Sequence, residues 1–229
     1  MGRSRQRGVV TNAAPLAEPF QLSIRAGSQL ANCSVASAGT DGDSVVISDG
    51  RNSVYHLRLE KATQPRIILV AKISLKSPAI SQIAVLDNST YLVDAAGTLQ
   101  VLALPDLKAK TGEKLACRDV VMGPAAVGKR ILLETDSGEL VCLDSAGKQL
   151  WKTTLAEGPL AGRPLEVGGD ILLPTKRGVL LRVGAATGKE IARSDLAQPL
   201  AGSPALLGTS ALVPTAAGRI LKVAIPEKK

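Results

Sequence analysis

The segment Pro159-Leu160-Ala161-Gly162-Arg163-Pro164 returns as Pro199-Leu200-Ala201-Gly202-Ser203-Pro204, identical at five of six positions and offset by 40. The match runs on through Gly168 and Gly208, Leu172 and Leu212, Pro174-Thr175 and Pro214-Thr215, Gly178 and Gly218, Leu181 and Leu221, and Val183 and Val223. Twelve identities in 25 positions at one offset mark an internal repeat, and a period near 40 restricts the chain to propeller blades or helical arrays. One unit earlier, Pro124, Gly128, Leu132, Thr135 and Gly138 hold the same frame. Before that, Gly97 stands 41 ahead of Gly138 and Pro78 stands 46 ahead of Pro124, a slightly longer unit. The earliest unit is the most diverged, with Ser48-Asp49-Gly50 and Ser53-Val54-Tyr55-His56-Leu57 in place of the turn and third strand. That makes five units.

Local pattern separates blades from helices. Lys129–Thr135, a short turn with Gly138, and Glu139–Leu143 read as a β-hairpin, and Asp170–Leu173 with Val179–Val183 repeat it. No segment inside the units holds helical periodicity for ten residues without a Gly or Pro break. Each unit is expected to form four short strands; in the third they fall near Ala125–Val127, Arg130–Thr135, Leu140–Asp144 and Gln149–Thr153. The apolar runs in the second and third strands suit sheets covered on both faces. Pro174 and Pro214 cannot donate to a ladder, so the second strand is expected to end by them. The fold class is therefore all-β, a β-propeller of about five four-stranded blades.

The last unit runs out after its third strand, and Phe20-Gln21-Leu22-Ser23-Ile24-Arg25 is a spare strand ahead of the first. Pairing the two would remove two open edges and close a five-bladed ring. The rival is an arc of a larger propeller. Residues 1–19 read as a basic tail, and 20–229 as the propeller domain.

At Val141-Cys142-Leu143-Asp144-Ser145-Ala146-Gly147-Lys148-Gln149-Leu150-Trp151 the chain resembles the PQQ-like repeat family. Its units carry a strand, an Asp, a turn ending in Gly-Lys and a nearby Trp. Asp144, Gly147, Lys148 and Trp151 fill those places. The next unit keeps Thr187-Gly188-Lys189 but has Ile191 for the Trp, and the second keeps only Thr111-Gly112-Glu113. The resemblance covers roughly residues 30–225. It implies that the Gly-Lys turn joins the third and outer strands and that the Trp docks on the neighbouring blade, a structural role for Asp144 and Trp151. The quinone enzymes of this family have eight blades, a calcium site, a catalytic Asp and a vicinal cysteine pair. This chain has no Cys-Cys pair and no clustered acidic set, so neither PQQ nor calcium is expected as a cofactor. Other relatives use the repeat as a non-catalytic scaffold, for example in outer-membrane protein assembly, or beside kinase and other domains.

No enzyme site is visible. The one histidine, His56, lies in a strand beside Tyr55 and reads as structural. Cys33, Cys117 and Cys142 show no CxxC spacing, and one histidine does not make a zinc site; buried free thiols are expected. Net charge is +8, yet the basic residues are scattered apart from Arg3, Arg5, Arg7, Lys228 and Lys229. With aromatics limited to Phe20, Tyr55, Tyr91 and Trp151, single-stranded nucleic acid is not expected as a partner. No apolar run spans a membrane, and the residues after Arg7 do not make a signal core, which leaves a cytoplasmic location by default. Asp94, Asp136, Lys176 and Arg177 sit at hairpin turns on one face of the ring and are candidate interaction residues. The expected function is a non-catalytic binding or scaffold module for another protein or a companion domain. The alternative is a fragment of a quinone- or small-ligand-binding propeller. A channel mouth lined by Ala and Gly favours the first; a central pocket of converging polar groups favours the second.

Overall fold

The computed structural model describes residues 34–38, 43–110 and 119–227. Among them lie nineteen strands and no helix. Blade 1 is β1 (Ser34–Ala38), β2 (Ser44–Ser48), β3 (Ser53–Glu60) and β4 (Arg66–Ser74). Blade 2 is β5 (Ala84–Leu86), β6 (Ser89–Val93), β7 (Leu99–Ala103) and β8 (Lys108–Ala109). Blade 3 is β9 (Val120–Val127), β10 (Arg130–Thr135), β11 (Glu139–Leu143) and β12 (Gln149–Thr154). Blade 4 is β13 (Leu165–Val167), β14 (Asp170–Pro174), β15 (Val179–Gly184) and β16 (Glu190–Asp195). Blade 5 has β17 (Ala205–Leu207), β18 (Ser210–Pro214) and β19 (Ile220–Ala224). Each blade is an antiparallel meander in chain order, and blade 5 stops at three strands among the described residues. The closing strand expected at residues 20–25 and the basic tail lie outside the described residues, as do Cys33, Cys117 and Thr111-Gly112-Glu113.

The core sits between blades, and the two-residue period of a strand explains how. In β10, Ile131 and Leu133 point back onto Tyr91, Val93, Leu99 and Val101 of blade 2. Leu132 points forward, with Leu140, Cys142 and Trp151, onto Ile171, Leu173, Val179 and Leu181 of blade 4. Blade 4 repeats the arrangement: Leu172 and Leu180 pack on Ala211 and Val213 of blade 5. Val46 and Val54 of blade 1 pack on Leu92 and Leu102 of blade 2. Alternation is present after all, but both sets are apolar because both faces are covered.

The two prolines end β14 and β18 as their missing N–H requires. Their carbonyls still serve. Pro174 O accepts from Ala161 N (2.8 Å), and Pro214 O accepts from Ala201 N (3.0 Å). These bonds tie the second strand of each blade to the connector that enters that blade. Two findings differ from the sequence reading. Strand β9 begins at Val120, five residues before the expected Ala125, and accommodates the excess with irregular pairing against Leu132–Thr135. Pro78 also belongs to a different repeat position. Its carbonyl accepts from Ala95 N, as Pro159 O accepts from Lys176 N and Pro199 O from Ala216 N. The counterpart in blade 3 is Asp119, whose carbonyl accepts from Asp136 N. Pro78 therefore aligns with Asp119 and Pro159, not with Pro124, and the apparent 46-residue unit is an ordinary one.

Candidate functional site

Two constellations stand out: a row of hydrogen bonds joining the blades, and a cleft at one mouth of the stack.

The row consists of four side-chain donors, each reaching a backbone carbonyl of the next blade. The Nδ1–H of His56 (β3) donates to Pro105 O at 2.9 Å. The Tyr91 hydroxyl (β6) donates to Ser145 O. The indole Nε1–H of Trp151 (β12) donates to Ala185 O at 2.8 Å. Arg182 (β15) donates from Nη1 to Pro226 O at 3.0 Å. The first three acceptors, Pro105, Ser145 and Ala185, are spaced by 40 and hold the same place in the turn after the third strand. Pro226 lies one residue past the next place in that series. The acceptor position repeats while the donor changes in residue type and strand. Sequence comparison of the units reveals only the Trp, because a backbone acceptor leaves no trace in side-chain identity.

Trp151 is 8% exposed and lies among Val179, Leu181, Val183 and Ala185 of blade 4. A Cβ on Gly188 would come within 2.4 Å of the indole, so glycine keeps the turn clear for the ring. Asp144 and Lys148 frame the turn before Trp151. One Asp144 oxygen accepts from Ala146 N (2.8 Å) and Lys148 N (2.9 Å), and Gly147 N donates to Asp144 O. This is an Asp-held turn, with Lys148 supplying backbone groups and an exposed side chain. Arg182 is additionally held by Asp170 at 2.8 Å in a largely buried ion pair. Burial pushes the Tyr91 hydroxyl above its ordinary pKa and the Cys142 thiol up to about 12.

The cleft, of about 380 Å³, opens where the connectors entering the inner strands converge. Gln82 comes from blade 2, Met122 from blade 3, Gly162 and Arg163 from blade 4 and Ser203 from blade 5. Close approach of these connectors demands glycine at 162: a Cβ there would lie 2.3 Å from Ser203 N. Arg163 N donates to the Ser203 hydroxyl at 2.8 Å. Val121, 58% exposed, contributes apolar surface. The cleft thus carries both small residues and converging polar groups.

At its floor lies Glu134, 1% exposed, where the next two units have Pro174 and Pro214. Both carboxylate oxygens accept from Leu160 N at 3.2 Å. Burial pushes the Glu134 pKa up; the Leu160 N–H and the Lys176 charge oppose it. No repeat position drew attention to Glu134 in the sequence; its departure from the proline of the later units is the available signal.

Among the four candidate turn residues, Lys176 lines this cleft. Arg177 is exposed beside it and covers Gly158. Asp136 is exposed and does not line the cleft. Asp94 corrects the expectation of a surface residue. It is 3% exposed and committed to its own turn, accepting from Ala96 N, Thr98 N and the Gln100 side chain. It takes the place that Thr135, Thr175 and Thr215 hold in the later hairpins, where the threonine oxygen accepts from the N–H four residues on. Among the described residues no three His, Cys, Asp or Glu side chains cluster as metal ligands.

BamB from Moraxella catarrhalis superposes with a TM-score of 0.61 at 15% identity, over 83% of this chain and 60% of that one. The computationally designed protein Ika8 gives 0.62 at 11% identity, over 80% and 56%. The C-terminal WD40 domain of Sif2 gives 0.60 at 12% identity, over 82% and 56%. The chain thus spans about 60% of the length of BamB. At these identities the likeness shows the fold alone. No curated protein matches the sequence. The profile of the family described as outer membrane protein assembly factor BamB matches residues 106–225, more than half of the chain. The chain belongs to this family of PQQ-repeat β-propellers.

Proposed function

We propose that the protein is a non-catalytic interaction module that docks another protein at the cleft built by the blade-entry connectors. The observation that carries this reading is the anatomy of that cleft. Exposed Val121 with half-buried Met122 forms an apolar centre, and Gln82, Arg163, Lys176 and Ser203 form a polar rim. Protein-binding patches share this layout, because apolar contact supplies affinity while rim groups stay solvated and set orientation. Lys176 and Arg163 favour a partner segment with carboxylates at its edge.

A photo-crosslinking amino acid at Val121 or Arg163 tests this in cells. Both positions are expected to give discrete protein adducts, while Glu166, exposed and away from the cleft lining, gives none. Absence of adducts at the cleft, or equal labelling at Glu166, overturns the reading.

A second reading, small-ligand binding, draws on Glu134. A carboxylate buried beneath the cleft with one shared N–H donor retains unused acceptor capacity. A ligand of that kind would contact Glu134 directly, so it would lose binding on Glu134→Gln, whereas a protein held by the apolar centre would not.

A further inference from the structure

The repeat makes it possible to read which sheet faces await a neighbour. Leu140 and Leu180 hold the same place in blades 3 and 4, are both 0% exposed, and are covered by the following blade. The third member of the series, Ile220 in β19, is 70% exposed. Pairing register puts Ile220 opposite Pro214, Lys222 opposite Leu212 and Ala205 opposite Leu212, so these residues share one face of blade 5. Leu207, 52% exposed, lies on that face too, two residues along from Ala205. The opposite face carries Ala211 and Val213, both 0% exposed against blade 4.

Blade 1 shows the converse. Val46 and Val54 face blade 2 and are 0% exposed. Register assigns Val45, Ile47, Tyr55, Leu57 and Leu69 to the other face. Leu69 is 42% exposed, and Val45 and Ile47 are half-buried where their counterparts Ile131 and Leu133 are 0% exposed. Among the described residues, blade 5 therefore presents a forward face without a follower, and blade 1 a backward face without a predecessor, on which Leu57 is 5% exposed and Leu69 is not covered. Every internal interface joins one face of each kind. Sheet faces left open to water are ordinarily polar, and these two expose Ile220, Leu207 and Leu69.

We propose that blade 5 of one molecule packs against blade 1 of a second copy, head to tail, repeating the internal blade–blade interface. Blade 1 is the surface among the described residues with the complementary character, and within one chain it leaves Ile220 and Leu207 uncovered. Lys222 strengthens the match. It holds the place of Arg182, which reaches a carbonyl in the segment after the third strand of the next blade. The corresponding turn of blade 1, residues 61–65, offers such carbonyls to Lys222. An interface joining unlike faces is heterologous, so association continues until a ring closes or a filament grows.

Light scattering on the full chain, with two charge variants, tests this. The wild type is expected at a mass at least twice that of one chain. Ile220→Lys and Leu69→Lys should each interrupt chain growth and return to monomer mass with an unchanged circular dichroism spectrum. The decisive arm is the mixture. Equal amounts of the two variants retain one intact pair of faces, Leu69 of the first with Ile220 of the second, and should recover a dimer and nothing larger. A monomeric wild type overturns the proposal, as does a mixture that stays monomeric. So does a disulfide that forms within a single chain of the Ile47→Cys, Ile220→Cys double variant, because the ring then closes on itself. Should Ile220→Lys misfold, Leu207→Lys on the same face replaces it.

Discussion

At the scale of single residues, scarcity makes assignment simple. The chain has one Trp, one His and two Tyr, and three of these four side chains bridge blades through a polar atom. An aromatic ring fills the gap between two sheets and still reaches a carbonyl at its edge, which aliphatic side chains cannot do. Trp151→Ala should therefore destabilise by about 3–5 kcal/mol, from lost burial plus an unfilled cavity, measured by denaturant unfolding. A change within about 0.5 kcal/mol, the range of neutral surface substitutions, would contradict the docking of the ring. Glu134 gives a pH-dependent case. Its folded pKa is raised by burial, so its favourable contribution is complete below the ordinary carboxylate range and is lost as pH rises through the folded value. Glu134→Gln keeps an oxygen for Leu160 N and never ionises. The variant should melt above the wild type at pH 8, with the gap closing as pH falls below the ordinary glutamate value. A gap that widens on acidification would mean that the charged hydrogen bond outweighs burial.

At the scale of elements, hairpins and turns were the most legible part of the chain. Strands β10, β11 and β12 lie within a residue of where apolar runs and turn residues place them, and β14 and β18 stop at their prolines. Local chemistry suffices there, since Gly supplies the turn conformation and Pro withholds a donor. The inner strand of blade 3 runs five residues further toward its N-terminus than the expected Ala125, because its extension pairs irregularly and carries no alternation. The Asp144 turn is equally local, with two N–H groups converging on one carboxylate oxygen. Asp144→Ala should cost about 0.5–1.5 kcal/mol per lost hydrogen bond, read as a lower unfolding midpoint. Asp144→Asn, which keeps the acceptor, should recover most of the loss; failure to recover it would assign the effect to charge instead.

For the molecule as a whole, five blades among the described residues stack through alternating faces of the same sheets. Titration with PQQ and with Ca²⁺, followed by absorbance and calorimetry, is expected to give no saturable signal. Stoichiometric micromolar binding would replace the interaction-module reading with a ligand-binding one. The 40-residue period, the hairpins within it and the Gly-Lys turn before Trp151 determined the all-β class and the blade count from sequence alone. Those features depend on contacts between near neighbours in the chain, which leave a repeating mark on residue type. Tertiary structure alone decided the partners of His56, Tyr91 and Arg182, the burial of Asp94, the position of Glu134 beneath the cleft and the exposure of Ile220. Each depends on where a neighbouring blade places its backbone, and a backbone carbonyl or an absent neighbour looks the same in any sequence.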